Sequence, residues 1–204
     1  FCINEMNNYF DTDYVLTFQS DGFILNPDAW TDEFFNYDYI GAPWAHTVGN
    51  GGFSLRSKKL MNFVSDNIEI VHYKNLASSN ITPQWLSSVY VMNSVPDVGG
   101  VVCNEWVKVF YSWCMNEDNL ICQYNRPFLE SRGFKFPTAP FAQDNFSVET
   151  NAPEDDITYT YKDSVQIWNG QFGFHGKYLN IKNWNDRERF NIYNYTLLED
   201  WKNE

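Results

Sequence analysis

Apolar residues in this chain come in short runs broken by polar turn residues, a rhythm of short strands and helices. Phe1–Tyr9 reads as the end of a helix. Tyr14-Val15-Leu16-Thr17-Phe18 has strand length, Gln19-Ser20-Asp21-Gly22 reads as a turn, and Phe23-Ile24-Leu25 resumes an extended stretch before Asn26-Pro27. Trp30–Asn36 predicts one or two helical turns, and Tyr39–Trp44 a short strand leaving the core. Gly49-Asn50-Gly51-Gly52 is expected to be the most flexible point, with Phe53-Ser54-Leu55-Arg56 as a strand after it. Ser57 is placed to cap a helix carrying Leu60, Met61 and Val64 on one face.

Residues 66–104 show no clear period and are expected to contain loops, while Glu105–Met115 has mixed aromatic and helical character. Asn116 can cap a helix starting at Glu117-Asp118, with Leu120, Ile121 and Tyr124 facing inward. Pro127 kinks or restarts that helix and Gly133 ends it. Phe134–Phe136 and Phe146–Glu149 predict short strands, Asn151–Asp156 an acidic loop, and Gln171–Gly176 a glycine-flanked edge. Strands alternating with helices favour an α/β sheet. The expected organisation is a single domain over residues 1–204, with a core over 1–180 and a tail over 181–204 docking on it.

Charge narrows the function. Lys plus Arg is 14 and Asp plus Glu 26, a formal net charge of -12, which argues against a protein that tracks nucleic-acid phosphates with a basic stripe. Aromatic residues make up 19% of the chain, enough to build a core and far from a disordered composition. No uninterrupted apolar run is long enough for a transmembrane helix. The four cysteines, Cys2, Cys103, Cys114 and Cys122, form no C-x-x-C pair and read as free thiols in a reducing cytoplasm. The chain begins with Phe1, so it is expected to be a piece of something longer.

Four features can carry chemistry. Asp21 follows an apolar strand, the place where α/β sheets bind ligands, although an ordinary Asp-Gly turn explains it equally well. Glu117 and Asp118 sit side by side at a helix start, where backbone N–H groups favour their ionised forms; helix-start electrostatics alone accounts for them too. His175 lies between glycines in an aromatic stretch, and a lone histidine is more often structural than a ligand. Gly49–Gly52 can be a plain hairpin turn.

Taken in order, these parts resemble the GT-A class of nucleotide-sugar glycosyltransferases, and more closely a family of bacterial and viral glycosyltransferase-like domains. The resemblance rests on Val15–Gly22, Tyr37–Trp44, Val48–Arg56, Glu117-Asp118, Phe146–Glu149 and Phe172–Gly176. It implies a Rossmann-like mixed sheet flanked by helices. It also implies that part of the nucleotide-binding half is missing, because only about one strand precedes Asp21. The implied activity is transfer of a sugar from a nucleotide-sugar donor to an acceptor hydroxyl, inverting and dependent on Mn²⁺ or Mg²⁺.

Residue by residue, Asp21 is similar to the last acid of the D-x-D motif, with Gln19 standing where that motif begins with Asp. His175 matches the late histidine that completes the metal site. Gly51 and Gly52 match the close-approach glycines beneath the donor sugar. Asp118 resembles the catalytic base, with Glu117 positioning the acceptor. Gln19, Asn50, Trp44 (a platform for a sugar ring) and Lys177 (a further positive contact) complete the implied donor and acceptor set. The rival expectation is a non-catalytic glycan-binding or structural module that kept the fold. A two-carboxylate glycoside hydrolase fits poorly, because adjacent helical residues point in different directions.

Overall fold

The computed structural model describes residues 1–44, 48–72, 85–96, 102–112, 116–150 and 166–176. It is a mixed α/β structure of nine strands among the described residues, arranged as three small three-stranded sheets. The chain divides into two compact units, one of Phe1–Val15, Tyr37–Tyr39 and Arg56–Phe136, the other of Leu16–Asn36, Ile40–Leu55 and Pro137–Glu204. β1 (Tyr14–Phe18), β3 (Tyr39–Pro43) and β4 (Val48–Ser57) form a sheet of order β1-β4-β3.

In the first unit, α1 (Lys58–Asn67) starts as its sequence demands. The Ser57 hydroxyl accepts from the Leu60 amide at 3.0 Å and donates to Asp38 Oδ1 at 2.8 Å, so a buried aspartate orients the cap. Leu60, Met61 and Val64 are all fully buried. After α1 come β5 (Ile70–His72), β6 (Trp85–Pro96) and β7 (Val102–Ser112), an antiparallel sheet of order β5-β6-β7. The β6–β7 pairing occupies part of the stretch expected to contain loops, whose residues 73–84 and 97–101 lie outside the described residues, and over 105–112 it replaces the expected helical character. Val107-Lys108-Val109 does alternate, but Trp106 and Phe110 share the face of Lys108 while valines fill the other, so both faces read as apolar and the period of two is hidden.

β5 reaches only the first part of β6. Beyond it the buried side chain of Asn125 takes over, accepting from the Tyr90 amide at 2.9 Å and donating to the Ser88 carbonyl at 3.1 Å. Asn125 is positioned by a short α2 (Glu117–Asn119), a wider turn over Leu120–Tyr124, and α3 (Arg126–Ser131). In that turn the Asn125 amide bonds back five residues to the Leu120 carbonyl at 2.9 Å. Leu120 and Ile121 are buried as expected, whereas Tyr124 is exposed, because the wider turn rotates it off the apolar stripe. Asn116 precedes α2 without a side-chain capping bond. Gly133, at φ +87°, terminates α3. Phe134–Phe136 is not a strand: Phe134 closes the helix end through the Leu129 carbonyl, and Lys135 is tied to Asp38.

In the second unit, β2 (Gly22–Ile24), β8 (Ser147–Thr150) and β9 (Gly173–Gly176) form a mixed sheet of order β2-β9-β8. β9 is therefore the central strand rather than the expected edge, antiparallel to β2 and parallel to β8. α4 (Ala139–Phe141) and a wider turn over Ala142–Phe146 lead into β8. One sheet face packs Leu25, Val148, Trp168 and Phe174 together, with Phe23 stacked on Phe174. Phe34, Phe53, Phe146 and Phe172 form an aromatic cluster with ring centroids 5.1–6.3 Å apart. Gly49–Gly52 is not a flexible turn. It lies within β4, and three of its four residues are buried. The Asn-Gly signal is local, and pairing in the sheet overrides it. Lys177, the acidic segment 151–156 and the tail 181–204 lie outside the described residues.

Candidate functional site

The site is built in the second unit around a turn that three strands hold. The Gln19 amide donates to the Gly52 carbonyl at 2.8 Å, and the Gly22 amide closes the turn onto the Gln19 carbonyl at 3.0 Å. The Asp21 carbonyl accepts from the Gly176 amide at 3.0 Å. β2 and β9 are in register with Gly22 opposite His175, and β8 and β9 with Glu149 beside His175. Alternation along β8 sends Val148 into the apolar cluster and Glu149 to the other face.

Three ionisable side chains meet as a result. His175 Nδ1 lies 2.6 Å from Glu149 Oε2, and His175 Nε2 lies 3.4 Å from Asp21 Oδ1. Glu149 is 2% exposed, His175 8% and Asp21 21%, so the row runs from a dry end to a wet one. The imidazole lies against Gly52, where an added Cβ would sit 2.0 Å from Nε2. Only glycine at that position leaves room for the ring. Gly22 is equally confined, since a Cβ there would meet the Gly52 carbonyl at 2.5 Å. Gln166 braces the dry end, its side chain accepting from the Glu149 amide at 3.0 Å and donating to the Pro43 carbonyl at 2.9 Å.

Asp21 and His175, 154 positions apart in sequence, are thus neighbours in space. The absent side chain at Gly52 is accounted for by the imidazole; Gly51 is buried beside it in β4. Asn50 accepts from the Gly52 amide at 2.7 Å, which shapes the strand where the ring rests. Gln19 is exposed at the turn and Trp44 is half-buried at the end of β3. Glu149 has no role in the sequence reading. Its signal is an acid at a strand position within the apolar run Phe146-Ser147-Val148-Glu149, which declares itself only once its neighbour strand is known.

Glu117 and Asp118 belong to the first unit. Glu117 Oε1 pairs with Arg56 at 3.0 Å, and Arg56 is 1% exposed with its guanidinium 5.0 Å above the Tyr39 ring. Burial opposes the Arg56 charge, but Tyr39 and Glu117 beside it hold the guanidinium above its ordinary pKa. Burial also pushes the Tyr39 hydroxyl and the Cys122 thiol well up. Asp118 is buried, its Oδ1 accepting from the Asn119 amide at 2.7 Å. Cys2 and Cys122 are not disulfide-bonded.

Residues 4–164 match the model of a family described as a protein of unknown function, DUF5672. The chain belongs to the DUF5672 family. Asp21, Gly52, Glu117, Asp118 and Glu149 of this DUF5672 chain fall within the match, and His175 lies beyond it. Searches of curated proteins and of solved structures return no match.

A divalent cation is the group that the resemblance implies for Asp21 and His175. Among the described residues, no group of three or more His, Cys, Asp or Glu side chains is arranged to hold a metal ion. The donor set nevertheless suits a cation that keeps open positions. An imidazole nitrogen and a partly exposed carboxylate oxygen face each other, and the third acid stands behind the imidazole, as outer carboxylates do in metal sites. Among the described residues no helix is long and apolar enough to cross a membrane.

Proposed function

We propose that this DUF5672 chain is a GT-A-type glycosyltransferase module that transfers a sugar from a nucleotide-sugar donor to an acceptor hydroxyl with inversion. The observation that carries the reading is the Asp21–His175–Glu149 row at the end of a turn between strands. His175 Nε2 and Asp21 are the residues that would hold Mn²⁺ or Mg²⁺. Such a cation offsets the negative charge that develops on the diphosphate leaving group. A chain of net charge -12 otherwise repels a nucleotide diphosphate.

Asp118 is the proposed general base, taking the acceptor hydroxyl's proton as it attacks the anomeric carbon. Glu117, paired with Arg56 at 3.0 Å, is the proposed acceptor-positioning residue beside it. Gln19, Trp44, Asn50, Gly51, Gly52 and Lys177 are the proposed donor and acceptor contacts. The two described cysteines without a disulfide suit a reducing, cytoplasmic setting.

A second reading is a binding or structural module that retains the fold without turnover. It is favoured by Gln19, which removes one carboxylate from the turn, and by the imidazole's position between two acids. Mass spectrometry of products decides between them. A panel of nucleotide sugars is incubated with the full-length protein, Mn²⁺ and a mixture of hydroxyl acceptors. A glycosylated acceptor that disappears with EDTA supports the transferase; donor binding without transfer across the panel supports the module.

A further inference from the structure

We infer that Glu149 is the positioning residue of this site: it keeps the Nδ1 proton of His175 and thereby makes Nε2 the only ring nitrogen offered to a cation. The inference deepens the metal-dependent reading above and rests on it for the cation, but the proton assignment stands on geometry alone.

The two sides of the ring are unequal. At Nδ1 the carboxylate is 2.6 Å away and 2% exposed, a short charge-assisted contact with little water to compete for it. At Nε2 the carboxylate is 3.4 Å away, beyond the usual N–H···O distance, and its side chain is 21% exposed. A proton on Nδ1 is therefore held by a dry acceptor, whereas Nε2 faces the wetter, looser partner. The ring cannot rotate away from this choice. Gly52 lies against its Nε2 edge, and the pairing of β9 with both β2 and β8 fixes the backbone of His175. Gln166 holds the Glu149 backbone from the other side. A carboxylate that retains one imidazole proton fixes the tautomer and raises the basicity of the other nitrogen, and removing such a partner typically costs about 10–100-fold in metal affinity.

The test reads the ring nitrogens directly. Nitrogen-15 spectra of the histidine rings are recorded on the full chain without metal and again with Zn²⁺ as a diamagnetic probe, with His175→Gln assigning the signals. The expected result is a proton on His175 Nδ1 in both samples, with only Nε2 perturbed by Zn²⁺. A bare Nδ1 in the metal-free protein, or Zn²⁺ on Nδ1, overturns the inference. Glu149→Gln, close to isosteric, should keep its fold by circular dichroism, lose the fixed Nδ1 proton and bind Mn²⁺ about 10–100-fold more weakly by electron spin resonance. Unchanged nitrogen signals and Mn²⁺ affinity in folded Glu149→Gln also overturn it. Failure of the wild type to bind Mn²⁺ at all removes the metal reading instead, and the metal-free spectra still decide the proton assignment.

Discussion

A buried imidazole resting on a glycine turns one hydrogen atom into a determinant of the site. Gly52→Ala places a methyl carbon 2.0 Å from His175 Nε2 and must displace the ring. Overpacking of this kind costs roughly 1–3 kcal/mol. The substitution is expected to lower the melting temperature and to weaken Mn²⁺ binding together, read by a thermal melt and a metal titration on the same sample. Normal binding in a folded Gly52→Ala would mean that the ring has more freedom than its packing allows. The acidic pair separates along a different line. Asp118→Asn keeps shape and removes basicity, so turnover should fall about 100-fold or more with donor affinity little changed, as for loss of a general base. Glu117→Gln leaves a nearly fully buried guanidinium short of its charged partner. Removing one partner of a fully buried pair costs about 3–5 kcal/mol; with Glu117 itself 25% exposed, water softens the loss, and about 1–3 kcal/mol is expected from equilibrium denaturation. A Glu117→Gln variant as stable as wild type would show that Tyr39 and the remaining contacts suffice for Arg56.

Elements were legible where their signals are local. The Ser57 cap, the stripe of Leu60, Met61 and Val64, the restart at Pro127 and the stop at Gly133 each depend on residues within a turn or two, and the structure has all of them. What sequence could not supply depends on partners far along the chain. The β6–β7 pairing has no readable period, and β9 becomes central only because β2 and β8, which are 123 residues apart at Ile24 and Ser147, flank it. The same distance hid Glu149. Asn125 is the element-scale counterpart: a side chain standing in for a strand. Asn125→Ala leaves the Tyr90 amide and the Ser88 carbonyl without that partner, at roughly 1–3 kcal/mol for each group left buried and unsatisfied. Hydrogen exchange should show the loss of protection at Tyr90 before the rest of the sheet. Equal protection at Tyr90 in variant and wild type would mean that another group replaces the asparagine.

At the scale of the whole molecule, the chain divides into two compact units, and each needs its own reporter. Cys122 serves the first. It is fully buried, and burial pushes its thiol well above the ordinary range, which keeps it protonated and unreactive at neutral pH. Its alkylation should therefore track the unfolding of the first unit through a denaturant series; rapid alkylation of the native protein would contradict that burial. For the second unit the reporter is the site itself. Calorimetric titration of nucleotide diphosphate sugars into the full-length protein, with Mn²⁺ and with EDTA, and in wild type beside Asp21→Asn and His175→Gln, tests the central claim most directly. At least one donor should bind wild type only when Mn²⁺ is present and should lose that binding in both variants. Donor binding that is indifferent to Mn²⁺, or that survives unchanged in folded Asp21→Asn and His175→Gln, would contradict a cation-held donor at this site.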